Sequence, residues 1–187
     1  MKKELIKTNM ENETGKIIIE ETKNADTRSA EKLENLTEEA VKTDTEAHIE
    51  AVCRCGDWFC DKIKDQFKEH DHTKLGKYLP AFTKALKSGF KGKEFKEQDW
   101  WQIHLTERHH LNDKVPDDVN LIDVLELICD CVSAGLARTG EVYDVTIPDK
   151  VLKDAFSNTV EMLKKNIQVE KADEKDKAMK LFGLDKK

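Results

Sequence analysis

The stretch NLIDVLELICDCVSAGLAR, residues 120–138, decides the fold class of this chain. Its apolar side chains recur at the three- and four-residue spacing of one helix face, and they are Leu121, Val124, Leu125, Ile128 and Val132. The predicted helix runs from about Asn120 to Arg138, and Gly140 follows its end. Alternation typical of strands is nearly absent from the rest of the chain. The sequence therefore predicts an all-α protein.

Four further helical patterns flank this stretch, and their predicted ranges are about 46–67, 73–88, 99–108 and 148–167. Pro80 is expected to kink the second of them or to mark its restart. Residues 1–43 contain no aromatic side chain, so they cannot bury enough apolar surface to offset their chain entropy. We expect a disordered acidic extension over 1–43, a helical domain over 44–169 and a charged tail over 170–187.

The composition limits the classes of partner. Charged residues make up 37 % of the 187 residues, and the formal net charge is −6. This balance argues against a nucleic-acid backbone as partner, but a small phosphorylated ligand such as a nucleotide needs only one or two local cations. No apolar stretch approaches the roughly 20 residues of a membrane span, and no signal peptide is visible. We expect a cytoplasmic protein whose residues 1–43 are a candidate surface for a protein partner.

The cysteines offer a second kind of metal ligand. There are five, at Cys53, Cys55, Cys60, Cys129 and Cys131. An odd number without a secretion signal predicts reduced thiols. Neighbours two positions apart point to different faces of a helix, so small buried side chains are favoured over a structural zinc site.

The histidines are unevenly distributed along the chain. Five of the six fall between residues 70 and 110, namely His70, His72, His104, His109 and His110, with His48 upstream. Imidazole and carboxylate groups are common ligands of divalent metals. Adjacent helical residues point about 100° apart, so His70 and Asp71 reach one centre only at a helix end or through a bridging ion. Asp130 lies in an otherwise apolar helix, where a buried carboxylate requires a partner or a metal.

These residues resemble the ligand pattern of a known superfamily. His48, His70-Asp71 and Asp130 are similar to the H…HD…D pattern of HD-domain metal-dependent phosphohydrolases. The stretch HDHTK, residues 70–74, is similar to the form found in the cyclic-dinucleotide phosphodiesterase and di-iron inositol oxygenase branches, although no Gly-Tyr-Pro follows the histidine pair here. Residues 70–135 also resemble a group of uncharacterised phage and bacterial HD-like proteins. The resemblance covers about residues 46–165 and implies a single HD-like helical bundle, in the host cytoplasm if the chain is phage-encoded.

The resemblance also implies roles for individual residues. A first divalent ion would be held by His48, His70, Asp71 and Asp130. Asp71 would bridge to a second ion completed by His104, His109 or His110, with Fe, Mn, Co, Mg and Zn all open as the metal. Such ions activate water and clamp the oxygens of an in-line phosphoryl displacement. Lys74 would neutralise a substrate phosphate oxygen, and Arg108 is a second candidate phosphate contact.

Several of these assignments have alternatives. Lys74 could equally be a plain surface lysine, and Arg108 could pair with Glu107 or Asp113. His72 is expected to be exposed, and His109 and His110 cannot be ranked as ligands.

Two pairs of residues are left open in the same way. Asp123 and Glu126 share a helix face with Asp130, either as hydrogen-bond acceptors near the site or as a solvated surface. Of Trp100 and Trp101, one is expected in the core and the other near the surface or lining the site.

Three functions are compatible with this pattern. The first is a metal-dependent phosphohydrolase acting on a nucleotide or similar small phosphoester through a metal-activated water. The second is a di-iron oxygenase with the same ligands, which would consume oxygen and release no phosphate. The third is a non-catalytic accessory or binding protein of phage type, in which a structural metal has closed coordination.

Overall fold

The computed structural model describes residues 16–21 and 37–171, and this part of the chain is mostly helical. Its helices are α1 (Glu38–Lys68), α2 (Leu79–Lys87), α3 (Gly92–Lys96), α4 (Asp99–His104), α5 (Leu121–Thr139) and α6 (Asp149–Asn166). Two 3₁₀ turns, His72–Lys74 and Gly76–Tyr78, lie between α1 and α2. The predicted predominance of helix is confirmed. The predicted tail falls almost wholly outside the described residues.

The described residues belong to two compact units. One unit comprises the described residues up to Trp58 together with those from Leu163 onward, and the other is Phe59–Met162. The domain boundaries predicted after residues 43 and 169 fall inside α1 and inside a strand.

The first unit contains a strand pair that the sequence did not predict. Strand β1 (Ile17–Glu20) pairs in parallel with β2 (Ile167–Glu170), and Ile17 is opposite Ile167. Arg54 of α1 donates a hydrogen bond of 2.8 Å to the Ile18 carbonyl. The expectation of disorder throughout residues 1–43 is therefore wrong for this strand. A β-branched run whose partner lies 150 positions away gives no local signal of pairing.

Helix α1 begins earlier than predicted. The Thr37 hydroxyl accepts a hydrogen bond of 3.2 Å from the Ala40 N–H, and Glu38 and Glu39 place acidic charge in the first turn. Both features stabilise a helix N-terminus. The predicted start near Glu46 overlooked this cap.

The core of the second unit is built on α5 and α6. It contains Leu111, Val119, Val124, Leu127, Val151 and Ala155. The Asn120 side chain accepts from the Ile122 N–H, and Asp123 accepts from the Asn120 N–H, which forms a capping box. Gly140 ends α5 with a φ of 78°, a left-handed conformation that favours glycine. The predicted bounds of this helix are confirmed.

The buried face of α5 differs from the predicted stripe. Leu125 and Ile128 are exposed, whereas Asp123 is 0 % and Glu126 4 % exposed. Hydrophobic periodicity treats every carboxylate as a surface group, so it cannot find a helix face that buries two of them against hydrogen-bond donors.

The segment between α1 and α5 is more broken than predicted. Pro80 lies in the first turn of α2 and so marks its start, where a missing N–H costs nothing. Helix α4 ends at His104 instead of near Arg108, and α3 was not predicted. Trp100 is buried and packs on Phe82 at a ring-centroid distance of 4.4 Å.

All five cysteines are free thiols. Cys53, Cys60 and Cys129 are exposed, so their predicted burial is wrong.

Candidate metal centre

The second unit brings together three overlapping groups of ligand atoms, each group within 4.8 Å. They are His104–His109–His110, His70–His109–Glu126 and Asp71–Glu107–His109. His109 belongs to all three, and its side chain is 1 % exposed. The five residues predicted as ligands between positions 70 and 110 therefore do converge, with His109 at the centre.

The His70-Asp71 pair lies just beyond the end of α1, at Lys68. Asp71 has a φ of 58° and is the only non-glycine residue with positive φ among the described ranges. Its N–H donates a hydrogen bond of 2.8 Å to Glu107 Oε2, which holds this left-handed turn in place. On a continuous helix the side chains of His70 and Asp71 would point about 100° apart. The left-handed turn at Asp71 breaks the helix, so that both side chains face the histidine cluster. Of the two arrangements considered from the sequence, a helix end or a bridging ion, the structure shows the pair beyond the end of α1.

The Glu126 carboxylate contacts the Nδ1 atoms of two imidazoles, those of His70 and His109. Its Oε1 lies 2.9 Å from His70 Nδ1 and 3.2 Å from His109 Nδ1, and its Oε2 accepts a hydrogen bond of 2.7 Å from Gln66. Burial alone would raise the pKa of Glu126, but contacts from His109, His70 and Gln66 outweigh it and lower the pKa to about 2. An ionised Glu126 fixes a proton on Nδ1 of His70 and leaves Nε2 to face the centre.

His70 Nε2 faces two more carboxylates. It lies 3.6 Å from Asp71 Oδ2 and 3.5 Å from Asp130 Oδ1. Hydrogen bonding to Asp130, then to Glu126, raises the pKa of His70 to about 10 despite its partial burial. In metal-free protein at neutral pH, a proton on His70 therefore supplies the positive charge that these carboxylates require.

The His104 side chain is oriented by a chain of hydrogen bonds through the Thr73 hydroxyl to Glu107. Its Nδ1 lies 2.8 Å from the Thr73 hydroxyl, which in turn donates to Glu107. The Thr73 N–H also donates to Glu107, at 3.0 Å. Burial acts to raise the pKa of Glu107, but the hydrogen bonds from His104 and Thr73 have a larger combined effect and hold that pKa well below its usual range. An ionised Glu107 thus places the His104 proton on Nδ1 and leaves the Nε2 lone pair free.

The free edge of His104 meets two further candidate ligands. Its Nε2 lies 2.9 Å from His110 Nε2 and 3.9 Å from Asp71 Oδ1. Burial, followed by the neighbouring His109 and His104, lowers the pKa of His110 to about 4. His110 is therefore neutral at pH 7, the form in which imidazole binds metals.

Aromatic packing fixes this corner of the site. Trp100 stacks on His104 at 4.8 Å, and its indole N–H donates a hydrogen bond of 2.8 Å to the Thr73 carbonyl. Trp101 is half-buried and contacts both His104 and His110. One tryptophan therefore packs in the core, and of the two positions left open for the other, Trp101 has the one beside the histidines.

The donor set fits a divalent metal. Ligand atoms about 2.1 Å from a metal lie about 3.0 to 3.4 Å from one another in octahedral or tetrahedral coordination. The separations of 3.5 to 3.9 Å around His70, Asp71 and His104 need only slight contraction to meet these values. His109 Nδ1 is also buried without a hydrogen bond of acceptable geometry, which is unusual for a polar atom in an interior.

The structure does not bring His48 into this cluster. Its side chain is exposed, it lies in the first unit, and it belongs to none of the three ligand groups found among the described residues. His48 and Gln66 both lie in α1, His48 in the part of the helix that belongs to the first unit.

Asp130 stands at the edge of the cluster. It contacts His70 but is in none of the three tight groups of the described residues. It lines a cleft of about 180 Å³ together with Phe67, His70, Glu126, Cys129 and Ser133. This cleft is an opening from solvent to His70.

The two predicted phosphate contacts have different surroundings. Lys74 Nζ lies 2.6 Å from the Asp71 carboxylate, at the rim of the centre. Arg108 instead makes two hydrogen bonds, of 2.7 and 2.8 Å, to the fully buried Asp123, and a third to Asp118. The pairing of Arg108 with Glu107 or Asp113 considered from the sequence is not observed. His72 is exposed, as predicted.

Three residues of the site were not assigned from the sequence: Gln66, Thr73 and Glu107. Glu126 was left open there as a hydrogen-bond acceptor near the site or a solvated group, and the structure places it as an acceptor beside His70 and Gln66. A signal existed for Glu107, which follows His104 at the i, i+3 spacing of facing side chains. Nothing in a sequence distinguishes such buried carboxylates from the many exposed ones in a chain that is 37 % charged.

Comparisons with protein-family models, with curated proteins and with solved structures found no match. The interpretation of this site therefore depends on its own geometry and chemistry. Within residues 16–21 and 37–171, no helix has both the length and the apolar character needed to cross a bilayer.

Proposed function

We propose that this protein is a divalent-metal-dependent phosphohydrolase that acts on a nucleotide or another phosphoester. The metal centre would hold two ions on opposite sides of Asp71. The observation that carries this proposal is that the two Asp71 oxygens face different imidazoles, Oδ2 facing His70 Nε2 and Oδ1 facing His104 Nε2. A carboxylate placed between two sets of ligands is suited to bridging two cations.

Each side of Asp71 has its own ligands. His70 and Asp130 would complete one position, and His104 and His110 would complete the other. His109, which belongs to every ligand group, lies between them. Glu126 and Glu107 would orient the imidazoles from behind through Nδ1, the arrangement that fixes the tautomer of metal-binding histidines.

The residues at the rim suit a phosphoester substrate. Bound divalent ions supply an activated water and neutralise charge on a phosphoryl group. Lys74, whose side chain is 24 % exposed, presents an ammonium beside Asp71 that can pair with a phosphate oxygen. The cleft beside Asp130 gives solvent a path to His70.

The resemblance of residues 70–74 to the HD-domain phosphohydrolase pattern supports the same proposal. Neither the histidine that follows Asp71 nor the sequence after the histidine pair, which lacks Gly-Tyr-Pro, favours cyclic dinucleotides over other phosphoester substrates. An HD-type centre without His48 would also be a departure from the superfamily pattern.

The test is hydrolysis by the full chain after loading with Mn, Fe, Co, Mg or Zn. Substrates would be bis(p-nitrophenyl) phosphate, p-nitrophenyl phosphate, nucleotides and cyclic dinucleotides. We expect metal-dependent release of nitrophenol or phosphate that falls at least about 100-fold in Asp71→Ala. Asp117→Ala, a change of the same type at an exposed position, should leave turnover within about twofold.

Two results would contradict the proposal. Iron-dependent oxygen consumption without phosphate release would assign the site to an oxygenase. Tight metal binding with no turnover on any phosphoester would assign it a structural role.

A further inference from the structure

A strongly basic segment lies next to the metal centre of this acidic chain. The 23 residues from Lys74 to Lys96, here called the lysine segment, contain seven lysines and one acidic residue, although the whole chain has a net charge of −6. The chain-wide charge that argued against a polyanionic partner therefore conceals a local excess of positive charge. Charge distribution, rather than net charge, determines where a polyanion binds.

Most of these lysines are available to an external ligand. Lys77, Lys84, Lys87 and Lys91 are exposed, and none has an ion-pair partner within the described part of the chain. Lys84 and Lys87 lie with Leu79, Pro80 and Thr83 along a shallow, open surface of α2. Phe90, 51 % exposed, presents an aromatic ring for stacking just beyond α2.

The lysine segment is continuous with the metal centre at both ends. Lys74 is paired with Asp71 at one end. At the other end Lys96 Nζ lies 5.4 Å from the Trp101 ring, which contacts His104 and His110. The middle of the segment is also close, because Phe82 of α2 packs on Trp100, which stacks on His104.

We propose that the lysine segment binds the phosphate backbone of a single-stranded oligonucleotide and presents one of its phosphodiesters to the metal centre. The second half of this statement rests on the proposed function. Unpaired lysines with an exposed aromatic ring are the usual composition of a single-strand binding surface. The alternative of an anionic membrane is less well supported, because α2 already buries Ala85 and packs Phe82 against Trp100 instead of presenting them to lipid.

The test is binding of a fluorescein-labelled 20-nucleotide single strand to the full chain, followed by anisotropy in EDTA at several salt concentrations. The variant is Lys84→Gln with Lys87→Gln. Its matched control is Lys150→Gln with Lys153→Gln, two exposed lysines at the same i, i+3 spacing on α6. Each single-strand phosphate contact contributes about 0.7 to the negative slope of log K against log salt, so loss of two contacts makes the slope shallower by about 1.4. If the variant and the wild type bind equally at 1 M salt, the variant should then bind about 25-fold more weakly at 0.1 M. The control pair should change affinity less than about twofold.

Three results would overturn the proposal. They are no binding by the wild-type chain, equal losses in the two variants, and tighter binding to phosphatidylserine vesicles than to the oligonucleotide. Because binding is measured in EDTA, its outcome is independent of the metal chemistry. Conversely, hydrolysis of bis(p-nitrophenyl) phosphate tests the metal centre with a substrate too small to need the lysine segment, so the two failures are distinguishable.

Discussion

Replacing Glu126 by Gln should weaken metal binding while leaving the fold intact. Glu126 accepts a hydrogen bond of 2.9 Å from His70 and one of 2.7 Å from Gln66, and it contacts His109 at 3.2 Å. His70 and Gln66 both present N–H groups to it, and a glutamine side chain offers one oxygen and one NH₂. At least one donor must then face another donor in a buried site.

The size of the effect follows from this count. Loss of one buried, charge-assisted hydrogen bond costs about 1.5 to 3 kcal/mol, which corresponds to about 10- to 100-fold in affinity. Loss of a carboxylate that orients a metal-binding histidine has the same measured range. We therefore expect the dissociation constant for Mn²⁺ or Zn²⁺ to rise about 10- to 100-fold.

Competition with a chromophoric chelator at pH 7 measures this constant. Glu141→Gln, at an exposed position of the same unit, controls for loss of one negative charge. Far-UV circular dichroism checks that both variants are folded. An affinity within about threefold of wild type in Glu126→Gln would refute the role assigned to this carboxylate.

Three further predictions address the fold and the ligand set. Because the pKa of Glu126 falls to about 2 in the folded chain from its usual value near 4.5, the stabilisation it provides is complete above pH 5 and should disappear as pH falls toward 2; chemical denaturation of EDTA-treated protein should show a weaker acid dependence in Glu126→Gln, and an unchanged dependence would be inconsistent with this shift. Gly135→Ala should lower stability by about 1 to 3 kcal/mol, since a Cβ there would lie 2.5 Å from the Glu141 carbonyl oxygen and the Tyr143 nitrogen; a melting temperature equal to wild type would disprove this close approach. His48→Ala should leave metal affinity within about twofold of wild type in the same chelator assay, and a loss comparable to that of Glu126→Gln would return His48 to the coordination sphere.

The helices could be predicted where local chemistry determines them. The capping box at Asn120 and the left-handed Gly140 set the ends of α5 from within the sequence. The parallel pairing of Ile17 with Ile167 could not be predicted, because it depends on a contact between distant segments.

The site was predictable only in part. The clustering of histidines indicated which residues converge, because the chain has only six histidines and five of them lie within about 40 positions. The left-handed turn at Asp71 could not be predicted, because it depends on the hydrogen bond from its N–H to Glu107. The choice between a buried and a solvated Glu126 stayed open, because it is decided only when this carboxylate packs against the N–H donors of distant residues. His48 was included because of a resemblance, and its side chain is exposed in the first unit.

The bridging position of Asp71 is the central claim, and anomalous diffraction from crystals grown with Mn²⁺ tests it most directly. We expect two manganese peaks about 3.5 to 4 Å apart, one next to His70 and one next to His104, with Asp71 between them. Absence of manganese at Asp71, or a single ion bound only at exposed His72, would contradict it.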